Sequence, residues 1–165
     1  QILGNNECIE PVTSNIYSRS TLAGQFLIVN KHLQKDLINI GIWNNDIKDK
    51  IILNNGSIQN IEIIPKSFKN IYKTAWDLSM KVLINQSADR GIYVCQSQSL
   101  NLWVENPSYN KLSSMHFYAW DKGLKTGIYY LRRKSVVKAQ TFSIDPEKQK
   151  HLDNDNDTEC LMCSA

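Results

Sequence analysis

The chain has 165 residues, a formal net charge of +3, and apolar, charged and aromatic contents of 42%, 21% and 9%. This length is enough for one domain with a buried core, and the composition is ordinary for a globular protein. The charge is too small to indicate a nucleic-acid-binding protein, and no segment is long and apolar enough to cross a bilayer. We therefore expect neither a nucleic acid nor a membrane as a partner.

The first 28 residues are predicted to be rich in loops. Pro11, Ser14 and Asn15 favour turns, and Gly24 interrupts the segment after them. The chain begins with Gln1, and its first residues lack the charged and apolar regions of a signal peptide. We therefore expect a fragment of a longer, cytoplasmic protein.

Two short helices are predicted next. Asn30 is a suitable N-cap for a helix over residues 31–41, and a second helix over 45–54 ends at Asn55 and Gly56. The apolar residues of these two segments that follow a helical period are Leu33, Leu37, Ile40, Ile47, Ile51 and Ile52.

The longest predicted helix covers residues 66–89, because Pro65 suits a helix start and Gly91 a helix end. The alternation of polar and apolar residues then predicts a strand over 92–104, which the following Asn-Pro pair ends. The sequence up to this point therefore mixes helix and strand and predicts an α/β fold that is rich in helix.

A further helix is predicted over residues 109–122, with Phe117 and Trp120 among its apolar contacts, followed by a strand over 128–132. From residue 145 onward the chain is almost devoid of apolar residues and cannot offset its ordering entropy by burial. We therefore expect a domain over residues 1–143 and a flexible tail over 144–165.

The most informative spacing is that of Cys160 and Cys163 near the C-terminus. Two thiols three positions apart can close a disulfide, and such pairs often have a lowered thiol pKa. Their position behind a polar tail favours a redox dithiol on a tether, since thiol–disulfide exchange requires access. The alternative is half of a zinc site with His151, and Cys8 and Cys95 would then have to supply the missing ligands.

Tyr129 and Tyr130 are ambiguous from the residues alone. Adjacent tyrosines on a strand normally point to opposite faces and serve packing. The functional alternative is an aromatic relay for an electron and a proton, because each phenol carries a transferable proton on an oxidisable ring.

Several segments, in chain order, resemble the large subunit of eukaryotic-type class I ribonucleotide reductase. They are QILGNNE at 1–7, EP at 10–11, TSNIY at 13–17, NGSIQ at 55–59, QSQSLN at 96–101, KL at 111–112, SMHFY at 114–118, GLKTGIYYL at 123–131 and ECLMC at 159–163. The resemblance is collinear and covers essentially the whole chain.

The resemblance implies an enzyme that reduces ribonucleoside diphosphates to deoxyribonucleotides by radical chemistry in a ten-stranded α/β barrel. Residues 1–143 would be the C-terminal part of that barrel. Tyr129 and Tyr130 match the tyrosines that relay the radical to an active-site cysteine. Cys160 and Cys163 match the dithiol that re-reduces the active site and is itself reduced by thioredoxin or glutaredoxin.

The resemblance also implies partners. The helix near 109–122 would help to form the groove for the C-terminal peptide of the small subunit, and the large subunit would be a homodimer. No cofactor is expected on this segment. ATP or dATP effectors would bind the absent N-terminal part, and a di-iron tyrosyl radical would lie on the small subunit.

Two departures and one absence qualify the resemblance. Cys95 stands where relatives usually carry an acidic residue, and Cys8 where they carry a small one, so we expect both to be packing residues. The family's catalytic cysteine and phosphate-binding loop lie upstream, so we expect the fragment to be inactive alone. A free-standing redox carrier or zinc-binding module built on the C-terminal cysteines is the competing hypothesis.

Overall fold

The structure is a computed structural model, and it describes residues 8–134. The elements in chain order are β1 Ile16–Thr21, β2 Gly24–Val29, α1 Lys31–Asn39, α2 Asn45–Leu53, α3 Lys66–Ile71, α4 Met80–Gly91, β3 Asn101–Trp103, α5 Tyr109–Asp121 and β4 Tyr130–Arg132. The α/β class is therefore confirmed. Within the described residues the strands form two separate two-stranded sheets, β1–β2 antiparallel and β3–β4 parallel, which do not make a closed ten-stranded barrel.

The prediction that the first 28 residues are mainly loop is wrong over the β1–β2 hairpin. The register runs from Ile16 opposite Val29 to Thr21 opposite Gly24. Gly24 lies at a φ of +130°, a conformation that favours glycine, and it begins β2 directly after the turn. The glycine that suggested an interruption is thus part of a tight connection between two strands.

The two predicted short helices are confirmed, but the expectation that Ile40 belongs to the apolar face of the first is wrong, because α1 ends at Asn39 and Ile40 is exposed. The Asn30 side chain accepts hydrogen bonds from the backbone N–H groups of His32 and Leu33, as an N-cap does. At the end of α2, Gly56 has a φ of +81°, and a Cβ there would lie 1.7 Å from Ser14 Oγ. Only glycine fits this close approach, which sets the end of α2 against the entry to β1.

The predicted long helix over 66–89 is wrong, because it is divided into α3 and α4. Between them, the Asp77 carboxylate accepts hydrogen bonds from the backbone N–H and the hydroxyl of Thr74 and from the Ser57 hydroxyl. The Ala75 N–H donates to the Val12 carbonyl instead of continuing a helix. These bonds to distant segments compete with the helical ladder and break it.

The predicted strand over 92–104 is reduced to the three residues of β3. Before it, the Lys125 ammonium donates to the carbonyls of Val94 and Cys95, so a side chain satisfies backbone groups that a strand partner would otherwise satisfy. The Gln98 side-chain amide donates to the Ser87 carbonyl and ties this segment to α4.

Two apolar clusters support these elements. The first joins β1, α1, α2 and the segment before α3, and its buried members are Ile16, Leu33, Leu37, Ile47, Ile51, Ile58, Ile61 and Ile64. The second joins α4, β3 and α5, and its buried members are Leu83, Ile84, Leu100, Leu102 and Ala119. The candidate functional site lies next to the second cluster.

Candidate functional site

The backbone of the tyrosine pair is fixed by the β3–β4 ladder. The Tyr129 N–H donates to the Leu100 carbonyl at 2.7 Å, and the Val104 N–H donates to the Arg132 carbonyl at 2.8 Å. Leu102, in the middle of β3, is fully buried. The ladder is therefore bonded at both ends and anchored in the second apolar cluster through its centre.

Glu10 ties the loop before the hairpin to this ladder. One carboxylate oxygen accepts from the Asn101 backbone N–H at 2.8 Å, and the other accepts from the Asn101 side-chain amide at 3.0 Å. Asn101 is the register partner of Tyr130. A bidentate contact to a charged acceptor is among the stronger hydrogen-bonding arrangements, so the strand beside Tyr130 is held from a distant part of the chain.

The rings of Tyr129 and Tyr130 contact each other instead of pointing to opposite faces. Their centroids are 4.3 Å apart with an interplanar angle of 64°. Tyr129 precedes β4, which begins at Tyr130, so strand alternation does not separate the two rings. A hydrogen bond to Tyr130 is the main cause that raises the pKa of Tyr129 above its ordinary value. The pair can exchange a proton between adjoining phenols, and both rings are about half exposed.

A cation lies over one of the two tyrosines, and a second aromatic pair lies at the same ladder; sequence reasoning missed both contacts. The Arg132 guanidinium lies 4.6 Å from the Tyr130 ring centroid. Trp76 and Trp103 make an edge contact with centroids 5.2 Å apart, and the Lys134 ammonium lies 5.6 Å from the Trp76 ring. The contact between Arg132 and the Tyr130 ring has one signal in the sequence. The two residues are two positions apart, which places both on one face of a strand.

The outer face of α5 forms a shallow apolar cavity of about 430 Å³ together with the turn that follows the helix. Phe117 and Trp120 are 70% and 76% exposed, so the prediction that they make packing contacts of α5 is wrong for the described residues. Gly127 allows the turn to lie close, because a Cβ there would be 3.3 Å from His116 Nδ1. Large exposed aromatics beside a cavity are typical of a binding surface.

Lysines lie near this surface. The ammonium groups of Lys81 and Lys122 lie 5.1 Å and 5.4 Å from the ring of Tyr118, whose hydroxyl donates to the Asn85 side chain. Of these three lysines, only Lys125 lines the α5 cavity, and the other two lie beside Tyr118. The arrangement suits an apolar ligand that carries negative charge.

The predicted redox pair, Cys160 and Cys163, lies outside the described residues, as does His151. The two remaining cysteines, Cys8 and Cys95, are exposed, so the prediction that they are packing residues is wrong. Within residues 8–134, no group of three or more His, Cys, Asp or Glu side chains is arranged to hold a metal ion. Nor does any helix in that range have the length and apolarity needed to cross a membrane.

Comparisons with known proteins agree on one family. A family model described as the barrel domain of ribonucleotide reductase matches residues 1–130. The ribonucleoside-diphosphate reductase large subunits of Caenorhabditis elegans and Danio rerio are 52% and 53% identical to the chain over all of its length. The chain spans only 22% and 23% of the length of those two relatives.

A solved structure is also similar. The alpha subunit of the class Id ribonucleotide reductase of Actinobacillus ureae superposes with a TM-score of 0.67 at 31% sequence identity. The match covers 77% of this chain and 22% of that one. Sequence and fold comparisons thus point in the same direction, although each involves a small part of the relative.

Proposed function

Because the chain belongs to the ribonucleotide reductase large-subunit family, we propose that it is the C-terminal part of a class I ribonucleoside-diphosphate reductase. Such an enzyme reduces ribonucleoside diphosphates to deoxyribonucleotides for DNA synthesis by radical chemistry. Residues 1–143 then complete a ten-stranded α/β barrel with upstream segments. Identity of 52% along the whole chain is the observation that carries this proposal.

Within that enzyme, Tyr129 and Tyr130 relay the radical. When one ring is a neutral phenoxyl radical, it takes an electron and a proton from the neighbouring phenol and leaves the radical there. Ring centroids 4.3 Å apart favour the electron step, and the hydrogen bond between the phenols favours the proton step. The onward acceptor is a cysteine of the upstream barrel.

Cys160 and Cys163 act as the shuttle dithiol. One thiolate attacks the active-site disulfide and forms a mixed disulfide, and the second thiolate resolves it, so that the active-site thiols are released and the tail becomes oxidised. Thioredoxin or glutaredoxin then reduces the tail in the same way. The spacing of the two cysteines at the end of a polar segment supports this role.

The exposed face of α5 receives the C-terminal peptide of the small subunit. Phe117 and Trp120 offer apolar contacts, and Lys125, which lines the cavity, offers positive charge to an acidic peptide. The same proposal includes a homodimeric large subunit in the cytoplasm, with ATP or dATP effectors on the upstream part. The small subunit holds the di-iron centre and its tyrosyl radical.

The relay is tested by Tyr129→Phe and Tyr130→Phe in the full-length large subunit, assayed with the small subunit, substrate and thioredoxin. Phenylalanine keeps the ring and removes the phenolic proton, so stability should change by only about 1 kcal/mol, as for one lost hydrogen bond. Nucleotide reduction should fall to background in both variants.

The matched control is Tyr93→Phe, because Tyr93 is 85% exposed and lies outside the tyrosine pair. This variant should keep wild-type turnover. Retained turnover in Tyr129→Phe and Tyr130→Phe would refute the relay and show that the pair serves packing.

A further inference from the structure

A second aromatic pair lies on the same face of the β3–β4 ladder as Tyr130. In the parallel register, Arg132 is the neighbour of Trp103, and Tyr130 is the neighbour of Asn101. Residues two apart on a strand share a face, as do registered neighbours, so Tyr130, Arg132 and Trp103 lie side by side. Trp76 extends the row through its edge contact with Trp103.

This neighbour offers a route by which the radical can be lost. An indole is oxidised about as readily as a phenol, so an electron can pass from Trp103 to a Tyr130 phenoxyl radical. Tyr130 then takes up a proton from water, since its ring is half exposed, and becomes a phenol again. Trp103 is left as a cation radical, and the turnover is lost.

Positive charge beside the tryptophan pair opposes that step, and Arg132 is its main source. The Arg132 guanidinium lies over Tyr130, and Arg132 is the register neighbour of Trp103. The Lys134 ammonium lies over Trp76 but is also paired with the Glu105 carboxylate at 2.9 Å, so its effect is smaller. A cation close to a ring disfavours a second positive charge on it. Oxidation of a tyrosine releases its proton and ends in a neutral radical, so the penalty falls mainly on the tryptophans.

Trp103 also lacks a described group that could accept its indole proton. Its indole N–H is buried and finds no hydrogen-bond acceptor among residues 8–134. A cation radical at Trp103 therefore has no described group to which it can pass the proton and become neutral. The tyrosines differ, because Tyr129 and Tyr130 are hydrogen-bonded to each other.

We propose that Arg132 is a positioning residue that confines the radical to Tyr129 and Tyr130 by keeping the neighbouring tryptophan pair difficult to oxidise. The inference rests on the proposed relay, which supplies the radical. It assigns to Arg132 an electrostatic role that acts through the two aromatic pairs, without contact with substrate.

The test is Arg132→Met in the full-length large subunit, assembled with the small subunit and frozen during turnover for electron paramagnetic resonance. Methionine keeps an unbranched stem and removes the charge. The tryptophan share of the radical signal should rise about fivefold, as expected when one exposed cation near the rings is removed. The number of turnovers before inactivation should fall. A purely structural role for Arg132 would not produce a tryptophan signal.

Three variants define the controls. Arg132→Lys keeps the charge and should resemble wild type, and Arg133→Met removes a neighbouring exposed charge and should change nothing. Adding Trp103→Phe to Arg132→Met should abolish the new signal. If Arg132→Met does not fold, Lys134→Met tests the same electrostatics at Trp76 and should produce a smaller tryptophan signal.

Normal turnover in folded Arg132→Met without a tryptophan radical signal would overturn the inference. If Arg132→Met does not fold, the absence of a tryptophan radical signal in Lys134→Met would overturn it instead. Either result leaves the relay intact, provided that turnover still depends on Tyr130. Full turnover in Tyr130→Phe is the separate result that would refute the relay itself.

Discussion

Tyr72 links segments around the first apolar cluster through two hydrogen bonds. Its phenol donates to the carboxylate of Asp36 in α1, while its backbone carbonyl accepts from the buried Asn15 amide. Burial and the bond to Asp36 together raise the pKa of Tyr72 to about 12. The proton is therefore held more tightly in the folded protein than in the unfolded chain.

Tyr72→Phe should lower the stability of the full-length large subunit by about 2 kcal/mol, the value of a hydrogen bond to a charged acceptor. Because the folded pKa is raised, the bond contributes fully below pH 10 and is lost as the pH rises from 10 to about 12. Thermal unfolding of both proteins from pH 8 to pH 12 measures this. The difference should shrink above pH 10, and a constant difference would contradict the assignment.

Cys160 and Cys163 are tested by replacing both with serine in the full-length protein. Multi-turnover activity with thioredoxin should be abolished, because the active-site disulfide then has no internal reductant. Activity with a small dithiol that reaches the active site directly should survive. Equal loss with both reductants would show that the pair does not act as a shuttle.

At the scale of elements, the exposed face of α5 is the proposed docking surface. Phe117→Ala or Trp120→Ala in the full-length protein should each weaken binding of a peptide from the C-terminus of the small subunit by about 30-fold, as for an aromatic hot spot. Tyr109→Ala is the matched control, since Tyr109 is 91% exposed on the same helix but does not line the cavity. Titration by fluorescence anisotropy measures the affinities. Equal affinities in all variants would show that the peptide binds at another surface.

The sequence predicts an element well where its signals are local. The Asn30 cap at the start of α1 and the left-handed backbone of Gly56 after α2 are local features, and both helices lie where they were expected. The predictions fail where distant residues decide. Pairing with β2 makes β1 a strand although most of its residues are exposed and polar, and Asp77 with its partners breaks the expected long helix.

The candidate site shows the same division. The tyrosine pair is recognisable from its motif, but the contact between its rings depends on the point where β4 begins. The cations over the rings and the exposure of the α5 aromatics depend on the packing of β3 against β4 and of α5 against α4. Spacing along the chain contains neither kind of information.

At the scale of the whole molecule, apolar surface is exposed in several places. Leu22 and Phe26 in the hairpin, Ile92 after α4, and Phe117 and Trp120 on α5 are all exposed large side chains. The two sheets have two strands each, so in the described residues every strand leaves one edge unpaired. Open edges and apolar patches of this kind favour association with other protein segments.

The proposal that the segment completes a larger barrel leads to a prediction for residues 1–165 expressed alone. The chain should be poorly stable and prone to aggregate, because two-stranded sheets and exposed apolar side chains lack the partners that the rest of the barrel would provide. It should show no nucleotide reduction, since the proposed enzyme would carry its catalytic cysteine on the upstream segment. Differential scanning calorimetry, light scattering and a reduction assay on the purified chain measure these properties. A sharp cooperative transition in a monomer, together with tight binding of the peptide from the small subunit, would instead identify an autonomous domain.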